Sequence, residues 1–167
     1  MTSARRRLVL PTLGMALVMG ACGRAPDPAA ARWIQAAARA HGDADGLTDR
    51  GELEAARSSL AALVLAPVPA GIAAEDRRAV IMDACYRLTE LDVRLGRPSD
   101  ARAWAERGLA AGERQDLFTA NLLVALGHAW EAGGEAPRAT ASYHRALLIN
   151  EALMHEALGE HAGGRNP

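Results

Sequence analysis

The chain has 167 residues, a formal net charge of −1, 50% hydrophobic residues and only 4% aromatic ones. It is too apolar for a disordered chain and too evenly charged for a nucleic-acid binder, which carries a basic surplus; with two cysteines it cannot be a disulfide scaffold. Alanine fills 38 positions, all 19 basic residues are arginine, and this Ala-, Leu-, Arg- and Glu-rich usage with few β-branched residues predicts a single all-α domain.

The first segment reads as an address. Arg5, Arg6 and Arg7 precede an apolar stretch from Leu8 to Met19, then come the small residues Gly20 and Ala21, then Cys22. A basic start, a short apolar stretch and small residues predict a secretory signal peptide over 1–21, and the stretch is shorter than the ~20 residues a spanning helix needs. Met19-Gly20-Ala21-Cys22 resembles the bacterial lipobox, with Met19 where Leu is commoner. The resemblance implies cleavage before Cys22 and a diacylglycerol on its thiol, so that the lipid on Cys22 holds the chain to a membrane of the cell envelope. More than one acyl chain makes such anchoring stable. Cleavage leaves 16 arginines against 20 acidic residues, and Cys85 becomes the one free thiol, with no disulfide possible within the chain. In the sorting rule of enteric lipoproteins an Asp after the lipidated Cys retains the protein at the inner membrane. Gly23 stands there instead, so the expectation is the outer membrane, facing the periplasm.

Residues 22–30, rich in Gly, Pro and Ala, read as the lipidated cysteine and a tether. Periodicity and Gly/Pro punctuation then predict helices at about 30–41, 51–66, 74–95, 98–111, 117–133, 136–149 and 151–161. The third shows the period best: Ile81, Ala84, Cys85, Leu88, Leu91 and Leu95 share one face. Cys85 therefore reads as a small buried hydrophobe. Pro98 suits a first helical turn, and Pro67 and Pro69 close the second helix. The tail, 162–167, is expected to be disordered.

Short connections make successive helices antiparallel hairpins, and similar hairpins invite a search for repeats. Leu123, Leu126, Gly127, Trp130, Gly134, Ala139, Tyr143, Ala146 and Leu147 follow a spacing that resembles a tetratricopeptide repeat (TPR) over about 120–153. Glu151 stands at that family's final proline. A second unit, about 82–115, fits at Leu88, Gly96, Ala101 and Leu109, with Asp92 and Ala105 where large residues are usual. A degenerate first unit offers Trp33, Ala55, Ala62, Leu63 and Pro67, its helices joined by a ten-residue loop. The resemblance implies a short α-solenoid over 31–161, about three antiparallel helix pairs plus a C-terminal capping helix. About three units are what such a stack needs for stability.

Chemistry-bearing patterns are weak. The loop expected at 41–49 is acidic and Gly-rich, but counted from Asp43 it puts Gly46 at position four where the EF-hand needs Gly at six. His155 and His161 are six residues apart, so their imidazoles diverge on a helix. No nucleophile elbow or phosphate loop appears, and no catalytic residue, metal site or cofactor is expected. What remains is surface. The TPR resemblance implies a concave groove lined by the first helix of each pair, here by Asp83, Tyr86, Glu90 and Arg94, then by Asn121, Val124, His128 and Glu131. Tyr and Arg are enriched in binding hot spots. The chain lacks the Lys set with which chaperone-type TPR grooves grip a terminal carboxylate.

These readings converge on an envelope lipoprotein without enzymatic activity, an adaptor or scaffold for another envelope protein or peptide segment. TPR lipoproteins that pilot secretin pores in pilus systems, or assist outer-membrane protein assembly, are similar in plan though usually longer. Two alternatives are a self-assembling structural lipoprotein, pairing through the apolar end around Leu147, Leu148, Ile149, Leu153 and Leu158, and a non-catalytic accessory subunit of an envelope enzyme.

Overall fold

In the computed structural model, residues 27–163 are described, the last four through their backbone alone. The segment expected to be a signal peptide and Cys22 lie outside this range, as do residues 164–167. The described residues form six helices and no strand: α1 (Pro28–Asp49), α2 (Leu53–Leu65), α3 (Ala74–Arg94), α4 (Pro98–Ala110), α5 (Leu117–Ala132) and α6 (Ala136–Gly163).

Local chemistry sets the starts. Asp27 caps α1, its carboxylate accepting from the Ala29 amide at 2.9 Å, with Pro28 in the first turn. Asp116 caps α5 in the same way through the Thr119 amide. The ends share one device. Gly51, Gly96 and Gly134 have φ of 77°, 71° and 79°, and the amide after each glycine donates back to the carbonyl five residues earlier: Glu52 to Leu47, Arg97 to Asp92, Glu135 to Trp130. Each is a Schellman closure, for which glycine suits the left-handed position. The three turns fold the chain into hairpins α1–α2, α3–α4 and α5–α6. Every helix packs on its chain neighbours, and α3 also packs on α5.

Counted from these glycines, the hairpins repeat. Five residues beyond each stands a buried alanine: Ala56, Ala101, Ala139. Seven residues before each stands a small residue: Ala44, Thr89, Gly127. Small side chains let the paired helices approach closely, and Leu60, Met82, Leu88 and Leu122, all fully buried, fill the space between pairs. Each such Leu or Met contributes roughly 1.5–3 kcal/mol by leaving water.

Three sequence expectations change. The acidic segment 41–49 is no loop: it is the last two turns of α1, so the first hairpin closes through a short turn like the others. The apolar period runs through it as Trp33, Ala37, Ala44 and Leu47, and burial of that face outweighs the helix-weakening Gly42 and Gly46. The helix expected separately at 151–161 is continuous with 136–149 in the 28-residue α6, since neither Gly nor Pro interrupts it at Asn150. Finally, α1 begins at Pro28, inside the stretch read as tether, and α6 runs to Gly163, past the start of the expected tail.

Candidate functional site

Side chains of α1 and α3 meet across a cleft, and side chains of α3 and α5 meet across a bridge beyond it. Of the eight residues singled out, the four on α3 recur at Asp83, Tyr86, Glu90 and Arg94, along one side of that helix. α1 packs on α2 rather than directly on α3, and the gap left between α1 and α3 is a cleft of about 250 Å³. Leu60 and Leu91 form its apolar floor. Asp45 and Thr48 come from α1, and Tyr86, Arg87, Glu90 and Arg94 from α3.

Polar side chains bridge the cleft and its continuation. Arg87 of α3 pairs with Asp45 of α1 and donates from Nη1 toward His41 Nδ1 at 3.0 Å. His41 Nδ1 also lies 3.2 Å from Asp83 Oδ2. Burial holds the His41 pKa below the usual imidazole value, opposed by Asp83 and reinforced by Arg87. The Tyr86 hydroxyl is pushed above the usual phenol value, by burial first and then by Glu90 and Asp83. The next bridge crosses from α3 to α5, where Glu90 Oε1 meets His128 Nδ1 at 2.9 Å. The His128 ring sits edge-on to Tyr143, centroids 5.8 Å apart. Tyr143 donates its hydroxyl to Glu131 at 2.9 Å, and burial and this carboxylate push its pKa up to about 12.

The structure thus gathers Tyr86, Glu90 and Arg94 in one cleft, sets Asp83 at its edge through His41, and ties His128 and Glu131 into the α3–α5–α6 end of the same face. Asn121 and Val124 lie two turns and one turn before His128, outside the cleft. Sequence reasoning missed His41, Asp45 and Thr48 because the first helix was taken to end at about 41, with a loop beyond it. It missed Arg87 because a charged residue beside an apolar stripe reads as solvated surface. The Trp33-Ala37-Ala44-Leu47 period was the signal for the first three. Among the described residues no ion pair engages Arg94, which is exposed at the cleft.

Cys85 is fully buried on the opposite face of α3, its thiol pushed up to about 12 by burial, which makes it a packing residue. No group of three or more His, Cys, Asp or Glu placed to hold a metal occurs among the described residues. No helix among them is long and apolar enough to cross a membrane. Comparison with protein-family models, with curated proteins and with solved structures found no match.

Proposed function

We propose that this chain is a lipid-anchored adaptor of the bacterial envelope that performs no chemistry itself. In this reading Cys22 carries the lipid, the three hairpins form a TPR-like solenoid, and the face of α1, α3 and α5 holds a segment of another envelope protein. The complex served is one such as a secretin or pilus assembly, at the outer membrane facing the periplasm. The observation that carries the reading is the cleft between α1 and α3: an apolar floor of Leu60 and Leu91 beneath Tyr86 and an unpaired Arg94. An apolar floor with a few converging polar groups is the usual make-up of a recognition site, and Tyr and Arg are the side chains that most often dominate binding energy. Three hairpins closed by one kind of glycine turn, with alanine repeated at Ala56, Ala101 and Ala139, support the solenoid reading.

Two measurements test it. Cross-linked affinity purification from native envelopes should recover a dominant envelope protein that a Tyr86→Ala/Arg94→Ala/His128→Ala chain loses; a partner retained by that chain overturns the assignment of the cleft. Metabolic palmitate labelling should disappear in Cys22→Ser; labelling that persists removes the anchor from Cys22.

A further inference from the structure

A second cavity, of about 460 Å³, opens where the end of α2, the first half of α3 and the end of α4 come together. It shares no residue with the cleft between α1 and α3. Its size falls within the roughly 300–1,000 Å³ of small-molecule sites. Val64, Leu65 and Val68 line it from α2 and the segment that follows, Ile81 from α3, and Ala110 and Ala111 from the end of α4. Every side chain on its walls is aliphatic or an arginine, the arginines being Arg77 and Arg78 of α3 and Arg107 of α4.

The three cations differ in what balances them. Arg78 is buried and satisfied: Nε donates to the Gly112 carbonyl at 2.7 Å, and its two Nη atoms pair with Glu75 and Asp116. Arg77 and Arg107 are exposed at the cavity, and among the described residues no ion pair engages either. No acidic residue lines the cavity. Glu75 is already taken up by Arg78 and Arg114, and Asp76 precedes Arg77 on the helix without reaching the walls. Arg107 suits the last turn of α4, whose carbonyls favour a cation. Arg77 has no such reason: it stands near the start of α3, where the helix dipole disfavours a cation and favours an anion.

The walls select the occupant. They carry no hydroxyl, amide or imidazole side chain. A peptide laid there would leave its backbone amides and carbonyls without side-chain partners. An aliphatic chain with one anionic head leaves nothing unmatched: the chain meets aliphatic walls, and the head meets guanidinium groups, which grip a carboxylate through paired N–H donors. We propose that this cavity binds a fatty acid, its carboxylate held by Arg77 and Arg107 and the first part of its alkyl chain lying against Val64, Val68 and Ile81. The site leaves the cleft between α1 and α3 open, and it does not depend on the adaptor reading.

The test is photo-labelling of the purified full chain in buffer that contains phosphatidylcholine nanodiscs. The probe is dodecanoic acid bearing a diazirine at mid-chain, and the labelled peptides are mapped by mass spectrometry. Label should concentrate within 64–68 and 107–111. Excess dodecanoate should remove it, and dodecanol, with the same chain and no charge, should not. Arg77→Gln/Arg107→Gln, at two exposed positions, should raise the probe concentration for half-maximal labelling about a hundredfold, with the helical circular dichroism unchanged. Equal competition by dodecanol, label centred instead on residues 147–158 of α6, or half-maximal labelling unmoved by the double variant overturns the proposal. Label lost when phosphatidylglycerol replaces phosphatidylcholine assigns the two arginines to a membrane headgroup and overturns it as well. Tyr86→Ala/Arg94→Ala should leave labelling intact, so loss of partner capture with labelling retained removes the adaptor reading alone.

Discussion

Gly127 is bare because Tyr143 occupies the space that a Cβ would need. An alanine there would displace the ring and with it the hydrogen bond from Tyr143 to Glu131. Gly127→Ala should therefore destabilise the protein by about 1–3 kcal/mol in urea unfolding, although alanine is intrinsically the better helix former by about 1 kcal/mol. Combined with Tyr143→Ala, which empties the space, the same substitution should become neutral or stabilising. The pairing of small Gly127 with large Tyr143 was legible in the spacing. Asp92 was not. It sits where a large apolar residue was expected, fully buried, with Oδ1 accepting from Arg57 Nε at 2.6 Å and Oδ2 without a partner. Removing one member of a buried pair leaves an uncompensated charge, so Arg57→Ala should cost about 3–5 kcal/mol, and Arg57→Leu/Asp92→Leu should recover most of it. Nothing in the local period announces an ion pair between residues 35 positions apart in different hairpins.

At the scale of the element, α2 to α5 start and stop within two residues of where periodicity and punctuation place them, because glycine and proline act locally through φ and through the missing amide. α1 is the exception. Two glycines and three acids over Gly42–Asp49 imitate a loop, and only the packing of Ala44 and Leu47 on the second hairpin element keeps the segment helical. This yields a direct check. A Cβ at Gly42 meets no other atom, so Gly42→Ala should raise stability by about 0.5–1 kcal/mol, read as a shift of the denaturation midpoint. A loop at that point would show no such gain. At Gly96, with φ of 71°, alanine should instead destabilise by about 1–2 kcal/mol, since the left-handed conformation clashes with a Cβ.

For the whole molecule, the hairpins share one apolar core and are also tied together by ion pairs, and pH reads the ion pairs. His41 joins α1 to α3 with its pKa lowered, so the unfolded chain takes up that proton first as pH falls. Its contribution is fully present above about pH 6.5 and is lost below it, by at most ~1.4 kcal/mol per pH unit. Asp116 secures the α4–α5 connection by pairing with the buried Arg78. Burial alone would raise its pKa, but the Thr119 amide and hydroxyl and the Arg78 guanidinium together bring it below the usual carboxylate value. Its contribution is present above that usual value and is lost as pH falls through it toward the folded pKa. Urea midpoints should be level from pH 8 to about 6.5, then decline in two steps, and His41→Gln should abolish the first. The sequence by itself determined the helical class, the glycine turns at Gly96 and Gly134 and the apolar side of α3, because these follow from residue period and backbone freedom. Only the tertiary structure decided that α1 runs through its acidic segment, that α6 is one long helix with a bare outer face, and that Asp45, Thr48, Arg87 and Arg94 line one cleft. These depend on which surfaces are buried between hairpins, and such burial joins residues that are distant along the chain.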